Sequence, residues 1–375
     1  MQMGMVAQGW LVYTLTNSAL ALGVVSAGWG LPLIIFSLFG GVAADRMPKK
    51  ELMIITQGAV CLLSLIMAVL VTTELIRLWH LVVGSVLSGI ILAFSLPARQ
   101  AFINEVAGNE HLLNAVALNS VVMNPCRIVS PAIAGVLLKI IGIPGVYWLV
   151  VGSYAIGVII LTRIKPRATP KDRPEMSSLE ELLLGLRYVR SHTILFVLML
   201  IAFVPIIVAL PYQMLMPVFA KDVFAAGETG LGFLMSAAGG GALIGSIFIS
   251  TLGNFKHKGL LLLIGGIIFG TFLVFFAQSG SIKMACLFLL FSNAGGSTLY
   301  TLTSTLIMSN TPEELVGRVM SLYMITWGLM PLGVLPAGAL AEAFGAPAVV
   351  TGGGLILLVF MLGLTLSQPK LRKLE

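Results

Sequence analysis

Long apolar segments recur along nearly the whole chain, and the short loops between them carry most of the charged residues. A helix needs about 20 mostly apolar residues to cross the ~30 Å hydrocarbon core of a bilayer. Only 10% of the residues are charged whereas 58% are hydrophobic, a composition that suits lipid rather than water. The sequence therefore predicts an all-α polytopic membrane protein.

Eleven complete spans are predicted from the apolar runs between charged residues, Pro and Gly. They cover residues 19–44, 52–72, 79–104, 115–138, 143–162, 193–219, 229–252, 259–278, 282–308, 318–343 and 346–367. Residues 3–16 are also apolar, but at ~1.5 Å per residue they are too short for the bilayer core. We interpret them as a first helix that is N-terminally incomplete, with a short interfacial helix as the alternative. On the first interpretation the chain has twelve spans.

The distribution of Lys and Arg predicts the orientation, because cytoplasmic loops are enriched in both. If the loop after the second span is cytoplasmic, that side holds 17 of the 22 Lys and Arg residues. The other side holds Arg77, Lys139, Lys221 and Lys283, and Arg127 lies within a span. The protein is then expected in the inner (plasma) membrane, with both termini in the cytoplasm. The net charge of +7 follows from this topology, so the expected partners are the lipid bilayer and a small-molecule substrate, not nucleic acid. We expect a monomer.

A long polar stretch divides the chain almost at its centre. The predicted domains are an N-terminal six-span bundle at 1–163, a cytoplasmic linker at 164–192, a C-terminal six-span bundle at 193–369 and a cytoplasmic tail at 370–375. In the linker, Ser178 and Glu181 have the spacing of a capping box. Leucines at helical spacing follow, which predicts an amphipathic helix on the cytoplasmic surface or against the bundle.

The two halves match each other at a constant offset of 203 residues. The informative pairs are Gly142 with Gly345 and Pro144 with Pro347, because Gly and Pro mark bends in the chain. This pairing places the fifth and sixth spans opposite the eleventh and twelfth, so it predicts two six-helix bundles with pseudo-two-fold symmetry. Halves repeated around a central cavity are typical of alternating-access transporters.

The loop after the second span, GGVAADRMPKK, resembles the signature of the major facilitator superfamily, G-x-x-x-D-R-x-x-[RK]-[RK]. The signature positions are filled by Gly41, Asp45, Arg46, Lys49 and Lys50. We expect Gly41 to let two helices approach closely. We expect Asp45 to make a charge contact near the start of the eleventh span, around Gly317 and Arg318, that helps to close a gate.

Four further segments are similar to the branch of this superfamily that contains macrolide-type drug exporters and the enterobactin exporter: WLVYTLTNSALALG, SLPARQAF, NEHLLNAVALNS and EELVGRVMSLY. The resemblance implies a secondary active exporter of small amphipathic molecules, such as drug-like compounds or a siderophore, that works by alternating access. It implies no cofactor, with a proton gradient as a candidate energy source. The fifth-span antiporter signature G-P-x-x-G-G is altered to SPAIAG, with Ser130 in its first position. A non-transporting receptor or scaffold, or an inactive truncated transporter, is the alternative.

Arg127 is the one charged residue deep within a predicted span, where a charge costs at least ~2.5–3.5 kcal/mol on insertion scales. It should therefore face the bundle interior or water, and Asn124 lies on the same helix face. A substrate or gate contact is one interpretation. A structural hydrogen bond to carbonyls freed by Pro125 and Pro131 fits equally well.

The other candidate substrate contacts are polar or aromatic residues of three further spans: Gln8, Tyr13, Gln213, Asn293 and Tyr300. Tyr13 is equally consistent with an anchor at the membrane interface. Asn293 and Tyr300 form a stripe with Ser297 and Ser304 at helical spacing. Packing of small residues between helices explains the two serines better than substrate binding does.

All fifteen carboxylates fall in loops or near span ends. A proton carrier is therefore expected either in the missing part of the first span or at a peripheral acid such as Asp222. The sequence contains no nucleotide-binding G-x-x-x-x-G-K-[ST] loop and no visible catalytic cluster. We accordingly expect no metal site and no enzymatic activity.

Overall fold

The computed structural model describes residues 2–164, 178–252, 255–372 and 374. Within its helices, some side chains lie outside the description, namely those of 38, 45, 104, 108–114, 116–118, 120–125, 127–128, 178–183 and 313. The capping box predicted at Ser178 and Glu181 therefore lies outside the described side chains. All regular structure in the described residues is helical, which agrees with the predicted fold class. Contacts divide the chain into two compact units, Met1–Glu175 and Met176–Glu375.

Four helical segments build the N-terminal unit: α1 (Gln2–Thr16), α2 (Ala19–Arg46), α3 (Lys49–Thr72) and α4 (Leu78–Arg163). Local signals separate the first three. The Ser18 hydroxyl accepts a hydrogen bond from the backbone N–H of Ala21 and caps α2, as expected of an N-cap serine. Pro48 precedes α3, where its fixed φ and missing N–H cost little.

The long helical segment α4 folds back on itself. The Arg99 guanidinium donates a hydrogen bond to the Asn119 side chain at 2.9 Å, whereas a straight helix would separate them by ~30 Å. The chain therefore reverses between these residues. It bends again at Gly142, which has a φ of +69°, the left-handed region that glycine tolerates. Phe102 and Leu161 consequently share one hydrophobic cluster, and α4 makes the three passes predicted at 79–104, 115–138 and 143–162.

Close packing of α2 against α4 depends on Gly40 rather than on Gly41. A Cβ atom on Gly40 would lie 2.0 Å from the carbonyl oxygen of Ala93, whereas a Cβ on Gly41 would meet nothing within 4 Å. Within the N-terminal unit, Gly40 and not Gly41 therefore permits the close helix approach. Adjacent residues point about 100° apart on a helix, so only one of the two glycines can face the neighbouring helix.

The C-terminal unit contains more and shorter helices. They are α5 (Ser178–Ser191), α6 (Thr193–Val208), α7 (Tyr212–Val218), a π-helical turn (Phe219–Val223), α8 (Gly227–Leu252), α9 (Lys258–Ala277), α10 (Ile282–Ser309), α11 (Glu313–Gly328), α12 (Pro331–Phe344), α13 (Ala346–Ser367) and α14 (Pro369–Arg372). Helix α5 packs against α11 and α6. The amphipathic linker helix thus lies against its bundle, which was one of the two predicted placements.

Two spans of this unit are discontinuous. The first breaks between α6 and α7, where Pro211 precedes Tyr212, and the second breaks between α11 and α12, where Pro331 begins α12. Proline removes a backbone donor and clashes with the preceding turn, so each helix is interrupted there. In membrane transporters, interrupted helices commonly surround substrate sites because they free backbone groups within the membrane.

Ten helical segments in the described part of the chain are long and apolar enough to cross a bilayer, against the eleven predicted spans. The two counts differ because the predicted spans 115–138 and 143–162 correspond to one candidate, Val129–Arg163. Gly142 divides that candidate. The repeat is also visible in the backbone, because Gly345 has a φ of +84° to match that of Gly142. In each copy the proline two residues later lies beside the glycine.

Candidate functional site

Helix α1 presents its two large aromatic side chains to the protein interior. Trp10 is 3% exposed and Tyr13 is 4% exposed, whereas Gln8 is half-buried. An interfacial anchor would keep its polar end at the membrane–water boundary. The burial of Tyr13 and Trp10 therefore argues against the anchor interpretation and places Tyr13 inside the fold.

The signature loop lies over a hydrophobic cluster that joins α2, α3 and α4. Ala44, Leu52, Met53, Ala98, Phe102 and Leu161 form this cluster. Above it, the Lys50 ammonium donates to the Thr162 carbonyl oxygen at 2.8 Å, where a cation stabilises the carbonyl end of a helix. Arg46 is exposed and Lys49 is half-buried. The side chain of Asp45 lies outside the described residues.

The hydrogen bond between Arg99 and Asn119 was not predicted from the sequence. Arg99 is half-buried inside the span Leu78–Ala107, although counting charges placed it with the cytoplasmic residues. Its partner Asn119 belongs to the segment NEHLLNAVALNS, and Arg99 itself belongs to SLPARQAF. Two of the segments that carry the family resemblance are thus joined by a charge-assisted bond, which is stronger than a neutral one.

Arg127 and Asn124 lie within the helical segment α4, as predicted. Both side chains are outside the described residues, so their role stays a prediction.

Aromatic side chains from four helices of the C-terminal unit lie near one another. We call this group the aromatic cluster; its members are Tyr212, Phe269, Phe276, Tyr300, Tyr323 and Trp327. The ring pairs fall into two groups. In the first, the centroid of Tyr300 lies 5.1 Å from that of Trp327 and 6.5 Å from that of Phe269; in the second, the centroids of Tyr212 and Phe276 lie 6.3 Å apart. Such separations are typical of stabilising aromatic pairs. Tyr212 lies just after the α6–α7 break, and Trp327 lies just before the α11–α12 break.

Two tyrosine hydroxyls of the aromatic cluster differ in their hydrogen bonding. The Tyr212 hydroxyl donates to Asn293 Oδ1 at 2.8 Å, and Asn293 Nδ2 donates to the Leu289 carbonyl at 2.9 Å. The Tyr300 hydroxyl is buried and has no hydrogen-bond partner among the described residues. A buried polar group without a partner costs about 1–3 kcal/mol, so this hydroxyl calls for an explanation.

Gln213 was a predicted substrate contact, but the structure brings Tyr212 into the aromatic cluster and leaves Gln213 exposed. The prolines around these residues signalled a bend without indicating which side chain faces inward. Trp327 also belongs to the aromatic cluster. It lies four residues before Pro331, at the interruption of a span.

Of the two serines in the predicted stripe on α10, Ser297 bonds to a neighbouring helix and Ser304 bonds within its own helix. The Ser297 and Ser246 hydroxyls lie 2.7 Å apart across α10 and α8, and Ser304 donates to the Thr301 carbonyl of its own helix. Gly245 brings α8 so near that a Cβ there would lie 2.3 Å from the Ala294 carbonyl oxygen. Ser297 thus follows the packing interpretation that the sequence favoured.

Near the start of α11, Gly317 is exposed, and the backbone of Arg318 lies directly against α5. A Cβ on Gly185 of α5 would lie 3.1 Å from the Arg318 carbonyl oxygen. The linker helix therefore contacts the segment to which the sequence assigned a gating role. Among the described residues, no group of three or more His, Cys, Asp or Glu could hold a metal ion.

A family model described as transmembrane secretion effector matches residues 1–375. The chain belongs to this family. As a transmembrane secretion effector of the major facilitator superfamily, it is a multi-pass membrane transporter of small molecules and not an enzyme.

Curated relatives of this transmembrane secretion effector match nearly its whole length. It is 25% identical to the staphyloferrin A transporter of Staphylococcus aureus over 91% of this chain and 86% of the relative. It is 26% identical to the multidrug efflux pump Tap of Mycolicibacterium fortuitum over 99% and 92% of the two chains. The corresponding values for the enterobactin exporter EntS of Shigella flexneri are 25%, 95% and 86%.

Solved structures confirm the major-facilitator fold. A peptide transporter POT matches with a TM-score of 0.78 at 11% identity, covering 99% of this chain and 92% of that one. The nucleoside transporter NupG matches with a TM-score of 0.70 at 13% identity, covering 97% of this chain and 96% of that one. At these identities the similarity concerns the fold alone.

Proposed function

We propose that this transmembrane secretion effector is a secondary active exporter of small amphipathic molecules, either drug-like compounds or a siderophore, and that it works by alternating access. The observation that carries the proposal is the match along the whole chain to a family whose curated relatives transport drugs and siderophores. The predicted repeat of two six-span halves supports it, since alternating access uses such repeats. We further propose that the protein acts as a monomer.

We propose that transport needs no bound cofactor and draws on an ion gradient. The carboxylates of the described spans lie near span ends, as Glu51, Glu105, Asp222 and Glu342 do. If protons drive transport, a peripheral acid of this kind is the candidate carrier within the described residues. Asp222 lies in the π-helical turn Phe219–Val223, where its side chain is exposed.

The proposed substrate contacts are of two kinds. In the C-terminal unit they are Asn293 and Tyr300, with Tyr212 added because its hydroxyl holds Asn293, and Gln213 at the neighbouring position. In the N-terminal unit they are Arg127, Asn124, Gln8 and Tyr13. An Arg within a span must find water, an acceptor or an anion, which supports a functional contact for Arg127.

The proposed gate consists of the signature loop and the start of α11: Gly41, Asp45, Arg46, Lys49, Lys50, Gly317 and Arg318. Lys50 supports the loop through its contact with the end of α4. The contact of Gly185 with Arg318 suggests that the linker helix helps to position the second part of the gate.

The function is tested by efflux from cells. Cells that express the protein should lose preloaded erythromycin or ethidium faster than vector-control cells. Asp45→Asn should slow this efflux about two- to fivefold at equal expression, because a charge–helix contact of ~0.3–1 kcal/mol is lost. Glu74→Gln, the same change in an exposed residue outside the signature loop, serves as the matched control. No efflux above the vector control for a panel of drugs and siderophores would favour the receptor or scaffold alternative.

We propose an inner-membrane location with both termini in the cytoplasm, as the Lys and Arg distribution requires. Single cysteines in a variant that lacks the three native cysteines should test it. In intact cells, an impermeant thiol reagent should fail to label Lys49→Cys, Lys171→Cys and Lys256→Cys. It should label the control Lys283→Cys, which is predicted to face the other side. Labelling of the first three with protection of the control would reverse the topology.

A further inference from the structure

The Tyr300 hydroxyl is an exception within its own helix. Other hydroxyls of α10 donate to carbonyls one turn earlier, as Thr298 does to Ala294 and Thr303 does to Leu299. The tyrosine hydroxyl stands too far from its own backbone to do so. It is buried, without a hydrogen-bond partner among the described residues.

The surroundings of this hydroxyl are aromatic. Trp327 lies at a centroid distance of 5.1 Å and Phe269 at 6.5 Å. Tyr323 and Tyr212 also lie near Tyr300. None of the cluster's members carries a formal charge. A charged ligand would therefore lose its hydration here without gaining an ionic partner from the cluster.

One member of the aromatic cluster, Trp327, lies at the protein surface. Trp327 is 39% exposed, and the ring of Tyr300 is half-buried. A planar molecule can thus stack on Trp327 and approach Tyr300 after a change of the indole rotamer. The interruptions of the helices beside Tyr212 and Trp327 provide the local backbone freedom that such a rearrangement needs.

We propose that the aromatic cluster is a subsite for an uncharged aromatic ring that bears a hydrogen-bond acceptor, and that Tyr300 donates its hydroxyl proton to that acceptor. This proposal rests on the proposed export function, because it specifies the chemistry of the substrate at a site invoked there. Stacking on Trp327 contributes affinity for the ring. The hydrogen bond discriminates for the acceptor, since binding supplies a partner that the buried hydroxyl does not find among the described residues.

The test measures binding of tritiated 2-acetylnaphthalene to the full-length protein in nanodiscs, with empty nanodiscs as background. Unlabelled 2-acetylnaphthalene, 2-ethylnaphthalene and 2-naphthoate compete for the site, and they share one ring but differ in acceptor and charge. On the wild-type protein the acetyl compound should compete about fivefold better than the ethyl compound, the value of one neutral hydrogen bond. The naphthoate should compete more weakly than the acetyl compound.

Tyr300→Phe should weaken binding of the acetyl compound about fivefold and abolish its advantage over the ethyl compound. Tyr188→Phe removes the same hydroxyl from α5 and should change neither value. Equal competition by the acetyl and ethyl compounds on the wild-type protein, or no binding of the probe, would overturn the proposal without any variant. Efflux that persists in that case leaves the export function standing. If the probe binds as expected but no substrate is exported from cells, the export function is rejected and the subsite is retained.

Discussion

Replacing Gly40 with alanine should destabilise the protein by about 1–3 kcal/mol, the usual range for overpacking, whereas Gly41→Ala should leave it unchanged or slightly more stable. The added methyl group at position 40 would lie 2.0 Å from the Ala93 carbonyl oxygen and 3.1 Å from the Cα of Phe94. Both are backbone atoms, so no side-chain rotation relieves the clash. The two helices must separate, and the packing between them is lost.

Gly41 is the matched control because it occupies the adjacent position of the same helix. Its Cβ would meet nothing within 4 Å, and alanine favours the helix over glycine by up to ~1 kcal/mol. Thermal unfolding of the two purified variants in the same detergent measures the difference. A lower melting temperature for Gly41→Ala than for Gly40→Ala would contradict the assigned helix contact.

Phenylalanine substitutions at Tyr212 and Tyr300 should have opposite effects on stability although each removes one hydroxyl. Tyr212→Phe should cost about 1–2 kcal/mol, because it deletes the 2.8 Å bond to Asn293 and leaves that amide oxygen without this donor. Tyr300→Phe should be neutral or stabilising by up to ~1 kcal/mol, because the hydroxyl that it removes has no partner among the described residues.

Thermal unfolding of both variants without ligand provides the comparison, and a Tyr212→Phe/Tyr300→Phe double variant tests whether the effects are additive. Substantial destabilisation by Tyr300→Phe would mean that its hydroxyl makes a structural bond. If the Tyr300 hydroxyl serves substrate binding, the Tyr300→Phe variant without ligand should be at least as stable as the wild type. Its affinity for substrate should be weaker.

The sequence by itself determined the fold class, because apolar runs of bilayer length exclude a soluble core and leave few spanning structures. The offset of 203 residues also located the two bends at Gly142 and Gly345, whose positive φ values reflect a requirement of the local backbone. A few neighbouring residues are enough to determine local requirements of this kind. They can be recognised before any tertiary contact is known.

Only the tertiary structure decided which of two neighbouring residues contacts another helix. Gly40 rather than Gly41 faces α4, and Tyr212 rather than Gln213 enters the aromatic cluster. In a membrane the outer surface is as apolar as the interior, so hydrophobic periodicity does not reveal which face of a helix is buried. Helical segments that meet also create the Arg99–Asn119 bond and bury the Tyr300 hydroxyl without a hydrogen-bond partner among the described residues. Long-range packing, which no local pattern encodes, therefore selected the candidate site within a fold that composition and repeat had already defined.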